Sequence, residues 1–82
     1  MPNIMSPLAT PMIRQSIVST DLKSVGFDQA TSVLELEFHK GGGVYQYSGV
    51  PANIYSDLMS ALSKGRYFNT YIKNSYQCQR VG

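Results

Sequence analysis

From Leu34 to His39 apolar and charged side chains alternate without a break, Leu34, Leu36 and Phe38 against Glu35, Glu37 and His39. A period of two puts the first set on one face of a strand and the second on the other, so the segment predicts a sheet strand with an apolar side and a wet side. Before it, Ser24 to Phe27 reads as a short strand with Val25 and Phe27 to one side, and Asp28 to Ala30 as the turn that closes a hairpin. After it, Gly41, Gly42 and Gly43 supply the positive φ angles of a second turn, and Val44 to Ser48 returns as an antiparallel strand. Tyr45 and Tyr47 share one face of that strand and Val44, Gln46 and Ser48 the other. The tyrosines are placed inward, ring buried and hydroxyl reaching toward water.

The period then changes. Pro51 stands where a helix tolerates proline, in the first turn, and Ile54, Leu58, Ala61 and Leu62 recur at helical spacing. Ser63, Lys64 and Gly65 read as the end of this helix, the glycine suited to a left-handed cap, and Tyr67 to Asn74 as a shorter helix whose Phe68 and Ile72 are four apart. The fold expected is α+β, a three-stranded antiparallel meander packed on one longer and one shorter C-terminal helix. Residues 1–16 contain Pro2, Pro7 and Pro11 among Ile4, Met5, Leu8, Met12 and Ile13, and read as an apolar arm that docks on its own domain or a neighbouring subunit. The domain is placed at residues 17–78 and a tail at 79–82.

A chain of 82 residues is one domain, and a core of that size supplies only about 3–5 kcal/mol. Cys78 is the single cysteine and closes no disulfide within the chain, and no cluster of Cys and His offers a zinc site, so self-association into a homo-oligomer is the expected supplement. No cofactor or metal is expected. No apolar run is long enough to span a membrane, the start lacks the pattern of a secretory signal, and one free thiol suits a reducing compartment, so the expected location is cytoplasmic. The net charge of +2 is mild, but its distribution is uneven. All five acidic residues lie between Asp21 and Asp57, and everything after Asp57 carries Lys64, Arg66, Lys73 and Arg80 with no carboxylate. That asymmetry suits an anionic partner; a hydrated, solubilising face is the plainer reading.

Leu22, Val25 to Asp28, then Leu34, Leu36 and Phe38, then Tyr45-Gln46-Tyr47 and Gly49-Val50-Pro51 form one ordered set of positions. Tyr55, Leu58, Ala61, Ser63, Gly65, Tyr67-Phe68-Asn69, Ile72 and Tyr76 complete it. The set resembles the KTSC domain, a family named for the C-terminal extension of some lysyl-tRNA synthetases and also found as a stand-alone small protein in bacteria and their viruses. The resemblance covers roughly Ile17 to Tyr76; Phe27 stands where the family often has tyrosine, which keeps the ring and removes a hydroxyl. What the resemblance implies about function is RNA binding, by association with the synthetase.

Arg66, Asn69 and Lys73 fall at i, i+3 and i+7, with Lys64 just before, so guanidinium, amide and ammonium donors share a helical face that can hold a phosphate. Tyr67, Tyr71 and Tyr76 lie beside them as rings on which a base can stack, which is the chemistry of single-stranded nucleic acid or nucleotide binding. The candidate ligand-binding set is Lys64, Arg66, Tyr67, Asn69, Tyr71 and Lys73, against the plain alternative of core tyrosines beneath a hydrated face. Tyr45 and Tyr47 read as core rather than a stacking platform. Glu35, Glu37 and His39 read as a solvated stripe that lacks a further ligand, a nucleophile or a closed pocket, so no catalytic residue is assigned and the domain is not read as an enzyme. The three glycines are turn residues, since no lysine and hydroxyl of a phosphate loop follow them. The function expected is non-catalytic binding of RNA or a nucleotide-type anion. The alternatives are a phage-encoded oligomeric sponge that sequesters a small cyclic nucleotide immune signal, and a protein-protein interaction adaptor working through the arm.

Overall fold

The fold is described from a computed structural model and covers residues 12–82. The greater part of the expected arm therefore lies outside the described residues. Five strands, β1 (Gln15–Ser16), β2 (Leu22–Asp28), β3 (Val33–Phe38), β4 (Val44–Ser48) and β5 (Gln77–Arg80), form one sheet in chain order, and every neighbouring pair is antiparallel. Between β4 and β5 run helix α1 (Ala52–Ser60) and helix α2 (Lys64–Tyr67), the latter passing directly into a π turn at Phe68–Ile72.

The alternation of β3 becomes the two faces of the sheet. Leu34 pairs with Phe27 and Tyr47, and Leu36 with Val25 and Tyr45, which aligns the apolar side chains of three strands beneath the helices. Leu58 of α1 and Phe68 and Ile72 of the π turn close on this face, and Leu22, Leu34, Leu36, Val50, Leu58 and Ile72 have no exposed surface at all. Burying each such side chain is worth about 1.5–3 kcal/mol. Both tyrosines of β4 point inward, Tyr47 fully buried and Tyr45 half-buried. Edge-to-face contacts join Tyr47 to Phe68 at 5.6 Å and Phe38 to both Tyr45 and Phe68.

The expected meander of three strands is corrected to five. β1 is two residues long and β5 reads Gln-Cys-Gln-Arg with all four residues exposed, so both are held by main-chain pairing and neither carries the apolar alternation that identifies a strand. β5 takes in Gln79 and Arg80, residues read from the sequence as tail. The helix boundaries also change. Pro51 is the residue before α1, where its carbonyl accepts from the amides of Ile54 and Tyr55. Ala61 is extended and Leu62 is wholly exposed, outside the core. Ser63 does not end α1; it starts α2, its Oγ accepting from the Arg66 amide at 3.3 Å, which is the use for which serine suits a helix start.

The polar face is the second correction. Glu35 is buried, not solvated: its carboxylate takes an ion pair from Arg14 and a 2.6 Å hydrogen bond from Gln46 Nε2. Arg14 Nε also donates to Ser24 Oγ, which donates to Glu37 at 2.9 Å. His39 turns away to the carbonyl oxygen of Ser19. The residues before β1 cross this face at Gly26, where a Cβ would sit 2.6 Å from the Ile13 carbonyl oxygen and 3.1 Å from Met12 Sδ. Gly26→Ala must push that segment off the sheet, so it should cost about 1–3 kcal/mol and lower the urea midpoint with an unchanged slope.

Candidate functional site

Beside β4 and β5, bordered by the inward-facing Tyr45 and Tyr47, lies an open cleft. The register sets Arg80 opposite Tyr45 and Cys78 opposite Tyr47, so the last two strands contribute alternate residues to one wall. The π turn supplies the facing wall with Phe68, Asn69 and, just after it, Lys73. The turn between β3 and β4 closes the rim with Lys40, Gly41 and Gly43, and Thr20, Asp21 and Gly65 close the remaining side. These surfaces enclose an open cleft of about 460 Å³, within the range of small-molecule sites.

Local sequence explains each wall. The Lys73 amide bonds to the Phe68 carbonyl at 2.9 Å, a span of five residues that widens the turn. Widened turns of this kind recur at functional sites because the extra residue re-aims the side chains that follow. Gly41 and Gly42 adopt φ of 80° and 64°, conformations glycine takes without strain. Gly43 leaves room for the Tyr45 ring, since a Cβ there would lie 2.7 Å from Tyr45 Cε1.

The cleft is cationic. Lys40, Lys73 and Arg80 line it together with one acidic side chain, Asp21, and neither Lys40 nor Lys73 is in an ion pair among the described residues. Arg80 is held in place, its guanidinium carbon 5.8 Å from the centre of the Tyr45 ring and its Nε donating to the Gly82 carbonyl at 2.8 Å. A cation fixed over a ring loses less freedom on meeting a phosphate than a free side chain does.

Of the residues singled out from the sequence, Asn69 and Lys73 line the cleft and the other four do not. Lys64 donates to the Ala61 carbonyl at 3.2 Å and caps the end of α1. Arg66 is exposed away from the cleft. Tyr67 and Tyr71 pack ring against ring at 4.7 Å with a 40° tilt, Tyr67 half-buried and Tyr71 exposed. Burial and then the Asp57 carboxylate raise the Tyr67 phenol above its ordinary range. The helical reading gathered Arg66 with Asn69 and Lys73 because it assumed an unbroken period, and the π turn breaks it. Sequence reasoning missed Lys40, Arg80, Thr20 and Asp21. The signal for Arg80 was its place in the acid-free C-terminal third; for Lys40 it was the adjoining glycine turn.

Tyr47 forms the floor. Burial first, and then the neighbouring Cys78 thiol, push its phenol well above the ordinary value. The folded state therefore holds this proton at a pH where the unfolded chain has released it. Stability is unaffected below about pH 10, the unfolded value, and falls as pH rises beyond it. Chemical denaturation between pH 8 and 11.5 should show this alkaline loss in the native protein and a shallower one in Tyr47→Phe.

The KTSC domain family model matches residues 18–76, and the chain belongs to that family. A crystal structure of a KTSC domain protein from Yersinia pestis superposes with a TM-score of 0.83 at 40% identity, covering 88% of this chain and all of that one. An uncharacterized protein of Stutzerimonas stutzeri is 39% identical over 62 residues, 76% of this chain and 86% of that protein. The lysine–tRNA ligase of Nostoc punctiforme is 32% identical over 79 residues, 96% of this chain but 14% of the ligase. Among the described residues no helix is long and apolar enough to cross a membrane.

Proposed function

We propose that this domain binds a phosphate-bearing, nucleotide-type ligand, a free nucleotide or an exposed RNA nucleotide, in the cleft between the π turn and strands β4 and β5, without carrying out chemistry on it. The observation that carries the reading is the convergence of Lys40, Lys73, Arg80 and the Asn69 amide on a concave surface floored by Tyr45, Tyr47 and Phe68. Cations beside rings are what a phosphate joined to a base requires. The similarity to part of a lysine–tRNA ligase supports a ligand from the same chemistry. The Lys64, Arg66, Tyr67 and Tyr71 face is replaced by the cleft in this reading, with Asn69 and Lys73 kept from the original set.

The test is calorimetric titration with inorganic pyrophosphate, guanosine monophosphate and a short oligoribonucleotide over a salt series. Binding should weaken steadily as ionic strength rises, because exposed charge contacts are screened. Affinity that ignores salt, or no binding to any of the three, overturns the reading. In the same series Arg66→Ala should leave every affinity within about twofold, since surface changes away from a site are small.

A further inference from the structure

We infer that the ligand is a single nucleotide carrying a pair of adjacent hydrogen-bond donors, a ribose cis-diol or a guanine edge, and that Asp21 is the residue that reads them; the inference rests on the nucleotide reading above. Asp21 is the one carboxylate in the cleft, exposed, and among the described residues its side chain makes no hydrogen bond and no ion pair. Its main chain is fixed, the carbonyl accepting from the His39 amide at 3.1 Å and the amide donating to Ser19 Oγ at 3.2 Å. Its side chain lies against the backbone of Gly65: Oδ2 lies 2.0 Å and Cγ 2.9 Å from the point a Cβ on Gly65 would occupy. A Cβ at position 65 would displace the carboxylate from this place against α2.

An ionised carboxylate accepts hydrogen bonds and donates none. Placed in a cleft that otherwise favours anions, it repels a second phosphate and so disfavours a continuous polyanion, while its two oxygens match two neighbouring donors. Within 460 Å³, the ligand that satisfies both ends is one phosphate group and one nucleoside. The ribose diol and the guanine N1–H and N2–H₂ edge present the same donor pair, and analogues separate them.

The experiment compares guanosine monophosphate, adenosine monophosphate, 2′,3′-dideoxyguanosine monophosphate and inorganic pyrophosphate on the wild type, Asp21→Ala and Gly65→Ala. Guanosine monophosphate should bind the wild type about tenfold more tightly than whichever analogue lacks the donors, the size of a charge-assisted hydrogen bond. A gap to the dideoxy compound identifies the diol, and a gap to adenosine monophosphate the guanine edge. In Asp21→Ala the gap should close while pyrophosphate binds at least as tightly, because a negative charge has left the cleft. Gly65→Ala, which drives the carboxylate from its seat, should narrow the gap with Asp21 still present. Three nucleotides bound alike by the wild type, or a gap that persists in Asp21→Ala, overturns the inference. Pyrophosphate bound with no nucleotide preference sinks the donor-pair inference alone, whereas failure to bind pyrophosphate as well sinks the anion cleft with it. A lower melting temperature in Asp21→Ala with an unchanged gap assigns Asp21 to the charge balance of α2 and also refutes the role.

Discussion

Lys73→Ala combined with Arg80→Ala should reduce affinity for guanosine monophosphate by about two orders of magnitude or more, with the melting temperature almost unmoved. Each removed cation takes away a hydrogen bond to a charged group, worth about 1.5–3 kcal/mol, and about 1.4 kcal/mol is tenfold in affinity. Both side chains are exposed and neither belongs to the packed core, so the fold has little to lose. Arg80→Lys should recover part of the loss, because the charge returns without the planar fork that a guanidinium lays over the Tyr45 ring. Calorimetry on the double variant beside the wild type measures the effect, and circular dichroism checks the fold. An affinity that survives both substitutions removes the cleft from consideration.

Leu58→Ala should be the most damaging single change to stability. Leu58 is the only buried residue of α1 and has no exposed surface, so its truncation both empties core volume and loosens the helix from the sheet. Such changes cost about 2–5 kcal/mol, against a total of about 4–12 kcal/mol for a domain of this length. The melting temperature should fall by about 10 °C or more, since one kcal/mol moves a domain this small by about 4–8 °C. Leu62→Ala, four residues on, should leave the midpoint where it is, because that leucine is wholly exposed. The pair of variants checks directly where helical periodicity stops reporting burial.

Periodicity stated the centre of this fold and lost its edges. Leu34, Leu36 and Phe38 alternate because helices cover one side of β3, and the same alternation in Tyr45 and Tyr47 pointed correctly inward. β5 was not legible, for Gln77 to Arg80 are all exposed and carry no apolar alternation. Missing β5 meant missing Arg80, and with it one wall of the cleft. Glu35 looked solvated because alternation marks a face as polar without saying whether another segment crosses it. Arg14 does cross it, twenty-one residues away in sequence. The candidate site was half legible: Asn69 and Lys73 line the cleft, whereas Arg66 was joined to them by a helical period that the π turn interrupts and Lys64 by its place just before that helix. Asp21 could be placed only in three dimensions, since what gives it meaning is the missing side chain at Gly65.

The most direct measurement is a two-dimensional amide NMR titration of the labelled protein with guanosine monophosphate. Saturable shifts should concentrate at Asp21, Gly41, Gly43, Asn69, Lys73 and Arg80, weaken when salt is raised, and spare Arg66 and Tyr71. Shifts confined to Lys64, Arg66, Tyr67 and Tyr71, or none at millimolar nucleotide, would contradict the assignment of the cleft as the binding site.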